Sequence, residues 1–432
     1  MTNRMILLAA LVAALAAAPL AGCSSNNDEP GIEMPPDNTF KRIALTQAQQ
    51  DLVESSNDFA FNLFRAVTLP EKSGASTDDV AVSKSVILSP LSITYALGML
   101  NNGAAGQTQQ QINNVLGFGD KGADAINTFC RKMLTEASTM DKLTKVSIAN
   151  NIYMNTGYQL LPDFLSKAGQ YYDAQPETRD FHDGKTRAVI NRWASDHTEG
   201  MIKEVLTVDD FNANAVSYLL NAIYFKGIWQ NKFNKSETKN EMFSCGDGTQ
   251  RQLPMMHQQH EFDYMENELC QTLSLPYGNG AYRMTLLLPR EGKSVDEVLL
   301  SLNAQNWTQQ HCIIRSTAIV DLKLPRFESQ SDFTLNKVMA QLGMPDAFDR
   351  SRAEFPNFCN VPTYIGLMKQ AACIKLDEAG TEAAAVTVLG VEFTALPVEP
   401  QHVTFHATRP FLYVVSEQST GTIFFIGKYV GD

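Results

Sequence analysis

The sequence predicts an α+β protein, and three observations carry that reading. Stretches with apolar residues at helical spacing and runs of branched and aromatic residues at strand spacing occur side by side along the chain. They do not alternate as regular βαβ units, which would have indicated a parallel α/β sheet. After one early polar segment no second linker interrupts the chain, and 44% hydrophobic residues are ample for one continuous core.

Taken in order, residues 1–22 read as a targeting segment outside the fold. Arg4 gives a positive start and 5–18 an apolar stretch, and Leu20-Ala21-Gly22-Cys23 closes it with small residues and a cysteine. This resembles a bacterial lipoprotein signal, and the resemblance implies cleavage before Cys23, lipid on that residue, and a protein anchored to a membrane without spanning it. A plain signal peptide is the alternative. The resemblance places the protein at the outer membrane or cell surface, with the periplasmic face also open. Residues 23–45 hold Pro30, Pro35, Pro36, Asp28, Glu29 and Glu33 without apolar periodicity, and are expected to form a flexible stalk.

From residue 46 the folded body begins. Residues 51–67 place Phe59, Leu63 and Val67 on one helical face, and 89–99 open a helix with Ser-Pro. Further helices are expected at 186–199 and 333–342. Strands are expected at 146–154, 218–225, 283–288, 318–324, 403–405, 411–415 and 422–426. Gly117, Gly119 and Gly122 form a nominal GxGxxG, but a helical stretch precedes it, so it reads as a loop and not as a dinucleotide site.

Several function classes fall away. A net charge of -12 argues against nucleic acid as a partner. No GxSxG elbow occurs, and after His260-Glu261 a tyrosine, Tyr264, stands where a zinc-binding HExxH needs its second histidine. Cys130, Cys245, Cys270, Cys312, Cys359 and Cys373 are widely spaced with no CxxC pair, which favours free thiols over a metal site. Neither metal nor cofactor is expected, and an enzyme is not.

The most informative stretch is EAGTEAAAVTVLGVEFTALP, residues 378–397. From Thr381 the odd positions Thr381, Ala383, Ala385, Thr387, Leu389 and Val391 are small or apolar, while the charges Glu382 and Glu392 are even-numbered. With period two, one face could enter a sheet interior without burying a charge, leaving the glutamates on a wet face. Alanine favours helix instead, so the local code is divided. The run reads either as an alanine-rich linker or as a segment that is loop in one state and strand in another.

Several segments resemble the serpin family, in the family's order, over about residues 51–432. They are SPLSITYALGMLNNGAAGQT, INRWASDHTEGMIKEVL, LLNAIYFKGIWQNKF, LPMMHQ, VDLKLPRFE, LDEAGTEAAA, RPFLYVV and GTIFFIGKYV. The resemblance implies a single serpin domain over 46–432, with three β-sheets, about nine helices and an exposed reactive loop at about 378–400. It implies a suicide substrate: a protease cleaves the loop, is held as an acyl-enzyme, and is carried away as the loop inserts into the main sheet. Serpin loop insertion is itself a standard example of stored strain. A non-inhibitory serpin serving as a binding or structural surface protein is the alternative.

The resemblance carries over residue by residue. Glu378, Gly380, Thr381, Glu382, Ala383, Ala384 and Ala385 match the hinge, and Gly380, Thr381, Ala383, Ala384 and Ala385 keep it small, which favours inhibition. Ser89, Ser92 and Asn221 match a polar cluster under the opening strands, and Gly227 and Trp229 the place where insertion begins. Arg326 and Glu378 match an ion pair at the loop's root, and Gln370 stands where the family usually has histidine. Family spacing places the scissile bond between Thr394 and Ala395, or one residue earlier after Phe393. The implied partners are elastase-like or chymotrypsin-like serine proteases or papain-like cysteine proteases, bound by a monomer. No Arg or Lys lies between Glu378 and Pro397 to fill a trypsin-like pocket.

Overall fold

The computed structural model describes residues 37–69, 84–312, 314, 316–381 and 401–432. Among these the helices are α1 (Gln47–Thr68), α2 (Pro90–Asn101), α3 (Gly106–Leu116), α4 (Ala123–Ala137), α5 (Pro162–Tyr172), α6 (Thr186–His197), α7 (Val295–Ser301), α8 (Ala304–Asn306) and α9 (Asn336–Leu342). The strands are β1 (Val86–Leu88), β2 (Thr144–Asn155), β3 (Glu177–Arg179), β4 (Ser217–Ile228), β5 (Lys239–Ser244), β6 (Gln250–Glu266), β7 (Cys270–Tyr277) and β8 (Tyr282–Pro289). They continue with β9 (Thr317–Pro325), β10 (Phe327–Thr334), β11 (Leu367–Asp377), β12 (Gly380–Thr381), β13 (His402–His406), β14 (Phe411–Glu417) and β15 (Ile423–Tyr429).

Local chemistry accounts for the helix ends. Thr46 and Gln49 close a reciprocal capping box on α1, whose buried Leu52, Val53, Phe59, Leu63 and Val67 recur at helical spacing. Pro90 opens α2 at a position where its missing N–H costs nothing, and all twelve residues of that helix are buried. Gly117 and Gly122 do turn the chain between α3 and α4, at φ of 67° and 80°, as a loop should.

The main sheet runs β10-β11-β12-β4-β2-β3. Its inner face rests on the large core that contains α1 and α2. Its outer face carries a second, smaller core made by Ile190 and Ala194 of α6 with Tyr218, Leu220 and Ala222 of β4 and Ala371 of β11. The sheet is therefore covered on both sides where α6 lies.

Three expectations need correction. The third sheet is not separate: β6 is 17 residues long and pairs with β5, β9 and β7 in turn, so one ladder of nine strands results. The helix expected from Phe333 begins at Asn336, because Phe327–Thr334 alternates buried and exposed residues and Phe333 pairs with Gln370 as strand. The segment expected as stalk up to residue 45 is already docked from Asn38 on. Asn38 is 4% exposed, donates to Asp141 Oδ1 at 2.7 Å and accepts from Lys142 N at 2.9 Å, and Ile43 is buried in the core. A buried amide with matched partners holds a segment that apolar patterning alone would leave loose.

Candidate functional site

Strands β4 and β11 run parallel and pair from Tyr218↔Leu367 to Ile223↔Ala372. Beyond that, no ladder pairing joins 224–226 to 373–375 among the described residues. At the far end β12 takes the place between them, antiparallel to both: Thr381 pairs with Gly227 and with Leu376, and Gly380 with Ile228 and with Asp377. The sheet is thus split along part of its length, and Gly380 and Thr381 of the hinge are already seated in the split.

Glycine is required on both sides of that seat. Gly380 has φ of 146°, and a Cβ there would lie 2.7 Å from the Ile228 Cα and still closer to the Gly227 carbonyl. A Cβ on Gly227 would lie 2.7 Å from the Tyr277 ring. Thr381 is 1% exposed, and its Oγ1 is 2.9 Å from the Tyr277 hydroxyl. Burial pushes that phenol far above its ordinary pKa, so it stays a neutral partner at any physiological pH. Trp229 stacks on Tyr277 with centroids 4.3 Å apart and planes 12° apart, and its indole Nε1 donates to the Asp377 carbonyl at 3.0 Å. The backbone N–H of Trp229 donates to Ala379 O at 3.0 Å, which ties the loop's root to the end of β4.

Glu378, the first of the hinge residues, is 2% exposed. Its Oε1 accepts from Thr238 Oγ1 at 2.7 Å and lies 3.6 Å from Arg326 Nη1, whose side chain is half exposed. The pair is asymmetric: a buried carboxylate is held mainly by a hydroxyl and only approached by a wet guanidinium.

At the paired end of the same two strands a polar cluster lies under the sheet. Gln370 is fully buried, and its Nε2 amide has three acceptors in reach: Asn221 Oδ1 at 2.7 Å, Ser89 O at 2.9 Å and Ser92 Oγ at 2.9 Å. Its Oε1 accepts from Ser89 N at 3.1 Å, which satisfies the backbone donor of the N-cap residue of α2, whose own side chain makes no cap hydrogen bond. Asn221 Nδ2 donates to Asn150 Oδ1 at 2.8 Å, so the cluster spans β11, β4, β2 and the first turn of α2. Gln370 and Asn221 are register partners.

All the described residues expected at the site therefore converge on the β4–β11 seam. Gly380, Thr381, Gly227, Trp229, Glu378 and Arg326 sit at its open end, and Ser89, Ser92, Asn221 and Gln370 at its closed end. Ser89 joins the cluster through its backbone; its own hydroxyl has no partner among the described residues. Glu382, Ala383, Ala384, Ala385, Phe393, Thr394, Ala395 and Cys23 lie outside the described residues. Tyr277, Thr238 and Asn150 were not foreseen. For Asn150 a signal existed, since antiparallel pairing places it opposite Asn221; nothing in the local pattern marked the other two.

Among the described residues no group of three or more His, Cys, Asp or Glu side chains could hold a metal, and no helix is long and apolar enough to cross a membrane. Cys130, Cys245, Cys270 and Cys359 are buried free thiols, and Cys373 is buried.

A split main sheet with a hinge wedged in its open end is matched in sequence. The family model described as Serpin (serine protease inhibitor) matches residues 54–431. The chain belongs to the serpin family. Leukocyte elastase inhibitor of Xenopus tropicalis is 31% identical over 396 residues, covering 88% of this chain and 99% of that protein. Neuroserpin of Gallus gallus is 30% identical, with 80% and 85% covered. Among solved structures this serpin resembles the thermophilic serpin tengpin in its native state (TM-score 0.77, 27% identity, 91% and 97% covered). It also resembles human thyroxine-binding globulin in complex with its ligand (TM-score 0.78, 26% identity, 89% and 99% covered). The family's description is that of serine protease inhibitors.

Proposed function

We propose that this serpin is a suicide-substrate inhibitor of a serine protease, with cysteine proteases as a further target class. The observation that carries the reading is the seating of Gly380 and Thr381 between β4 and β11. Extending that register places residues 380–391 along the whole of β4, from Ile228 to Ser217.

Both faces of such a strand would then meet matching surroundings. On the inner face Thr387 falls between Asn221 and Gln370, bringing a hydroxyl to the polar cluster. On the outer face Val386 falls between Ala222 and Ala371, in the apolar layer under α6. Glu382 falls between Lys226 and Lys375, and Glu392 lies past the end of β4. Glu382 and Glu392 thus flank the covered zone and the uncharged run 383–391 fills it, without burying an unpaired ion.

In the proposed reaction the protease nucleophile attacks the carbonyl of the residue before the scissile bond. The amide C–N bond breaks, the new amine leaves with a proton, and an ester or thioester remains. Insertion of about 12 residues at roughly 3.3 Å each moves the attached protease by about 40 Å. Thr394 before Ala395 suits an elastase-like pocket, and Phe393 a chymotrypsin-like one. The relatives named as inhibitors of leukocyte elastase support the first. The protein acts as a monomer, tethered through a lipid on Cys23 at the outer membrane or cell surface.

The test is to mix the protein with pancreatic elastase and with chymotrypsin separately and run denaturing gels. A band at the summed mass supports trapping. Loop cleavage by both without such a band removes the inhibitory reading for these two protease classes.

A further inference from the structure

The segment 207–212, which leads from α6 toward β4, straps the closed end of the seam. On one side Asn212 N donates to the Tyr218 hydroxyl of β4 at 2.7 Å, and that hydroxyl donates to Asn212 O at 3.0 Å. On the other side Asp210 Oδ2 lies 2.6 Å from Lys369 Nζ of β11. The same ammonium lies 3.0 Å from Asp332 Oδ2 on β10. Lys369 is 4% exposed, while Asp210 and Asp332 retain 20% and 33% of their side-chain surface. The carboxylate of Asp210 also accepts from Thr207 N at 3.0 Å and Thr207 Oγ1 at 2.7 Å, which fixes the strap's turn.

The strap travels with β4 and β2, because α6 is fastened there. Glu199, just past the helix, accepts from the Tyr224 hydroxyl at 2.9 Å and pairs with Lys145 of β2. Phe211 in the strap packs on Tyr218 and Phe181. The Lys369–Asp210 contact is therefore the ionic tie that crosses from this assembly to β11.

We propose that the Lys369–Asp210 pair is a latch that sets the rate at which the main sheet opens, and that Lys369 is a positioning residue for inhibition. The proposal rests on the insertion reading above. A strand entering between β4 and β11 moves them apart by about 4.8 Å, one strand spacing. A 2.6 Å contact anchored on both sides of the seam cannot survive that displacement unless its side chains are pulled out of the site. Slow release lengthens the life of the acyl-enzyme before it is distorted and lets hydrolysis compete, so the latch governs how many inhibitor molecules are spent per protease trapped.

Asp210→Asn tests this by removing the charge from the tie, while keeping an oxygen acceptor for Thr207 and leaving Lys369 paired with Asp332. Two readouts are used on the full chain. One is the stoichiometry and rate of covalent complex formation with elastase or chymotrypsin. The other needs no protease: the rate at which a synthetic peptide of residues 380–391 anneals, seen as a new unfolding transition at higher temperature. Asp210→Asn is expected to speed annealing at least threefold and lower the stoichiometry toward one. Tyr218→Phe, which removes the strap's hydrogen bonds to β4 but keeps the packing of Phe211, is expected to speed annealing in the same direction by a smaller factor. Val53→Ala in α1 serves as a packing deletion of comparable thermal cost away from the seam. Annealing of Asp210→Asn within twofold of the parent, or equal acceleration by Val53→Ala, overturns the latch. A parent that takes up peptide but never traps protease overturns the inhibitory reading and leaves the latch measurable by annealing. A parent that does neither overturns both.

Discussion

The hydroxyls of Thr381 and Tyr277 meet 2.9 Å apart beneath the stacked ring of Trp229, so the hinge of the loop is fastened to the floor of the sheet before any cleavage. Thr381→Val is expected to cost about 1 kcal/mol by leaving the Tyr277 hydroxyl unpaired, measured by denaturant unfolding. Thr381→Arg is expected to do more, because position 381 is already 1% exposed and a strand seated there would have to bury an unpaired cation at a cost of several kcal/mol, which pushes the hinge out of its seat. Denaturing gels should show that variant cleaved as a substrate with the complex band lost; an Arg variant that still traps protease contradicts the account.

Removing the Gln370 side chain strands Ser89 N and weakens the support of Ser92 and Asn221. Gln370→Ala is expected to destabilise the native state by roughly 2 to 4 kcal/mol, since each orphaned buried polar group costs about 1 to 3. Thermal unfolding checks it, and peptide annealing should quicken in parallel.

Gln370→His supplies a pH dependence that the amide lacks. Burial disfavours imidazolium, so the folded pKa would fall below the unfolded value of about 6.5. Below that value the unfolded chain binds the proton and the folded one does not, so stability is lost as pH falls from about 6.5. Unfolding midpoints of the histidine variant minus those of the parent should decline between pH 7 and 5. A flat difference would place the imidazole in contact with solvent.

Burial pushes the Cys130 thiol up to about 12. Because the thiolate is the reactive form, Cys130 should resist alkylation at pH 8 in the folded protein and label on unfolding, as peptide mass spectrometry would record.

Asn38→Ala removes the amide that joins Asp141, Lys142 N and Asn279. It is expected to cost about 1 to 3 kcal/mol, and a chain starting at residue 46 should lose at least as much. Equal melting temperatures for all three proteins would show that residues 38–45 are a mere tether.

The class of the fold was legible in the sequence because periodicity and the order of the serpin-like segments agreed. Errors arose where a local pattern was read without its neighbours. Phe333 looked helical beside Val338 and Met339, but its pairing with Gln370 makes it strand. The odd and even parity of 381–391 was read as one dry and one wet face. The main sheet has a core on both sides where α6 lies, and insertion as proposed would account for why residues 383–391 carry no charge on either parity. Asn38 escaped notice because polar residues flanked by prolines look like stalk, and its partners Asp141 and Asn279 are over a hundred residues away. The root of the loop was legible residue by residue, whereas Tyr277 and Lys369 act through three-dimensional proximity that no local motif encodes.

The central claim is that the cleaved loop becomes a strand between β4 and β11 in the register that Thr381 begins. That register sets residue 384 directly across from Cys373 of β11. Cross-strand partners have Cβ atoms about 4.5 to 5.5 Å apart, within a modest adjustment of disulfide geometry. An Ala384→Cys variant should therefore form a 373–384 disulfide under mild oxidation after loop cleavage, and not while the loop is intact. Absence of that crosslink in the cleaved protein, or its equal formation in the intact one, would contradict insertion in this register.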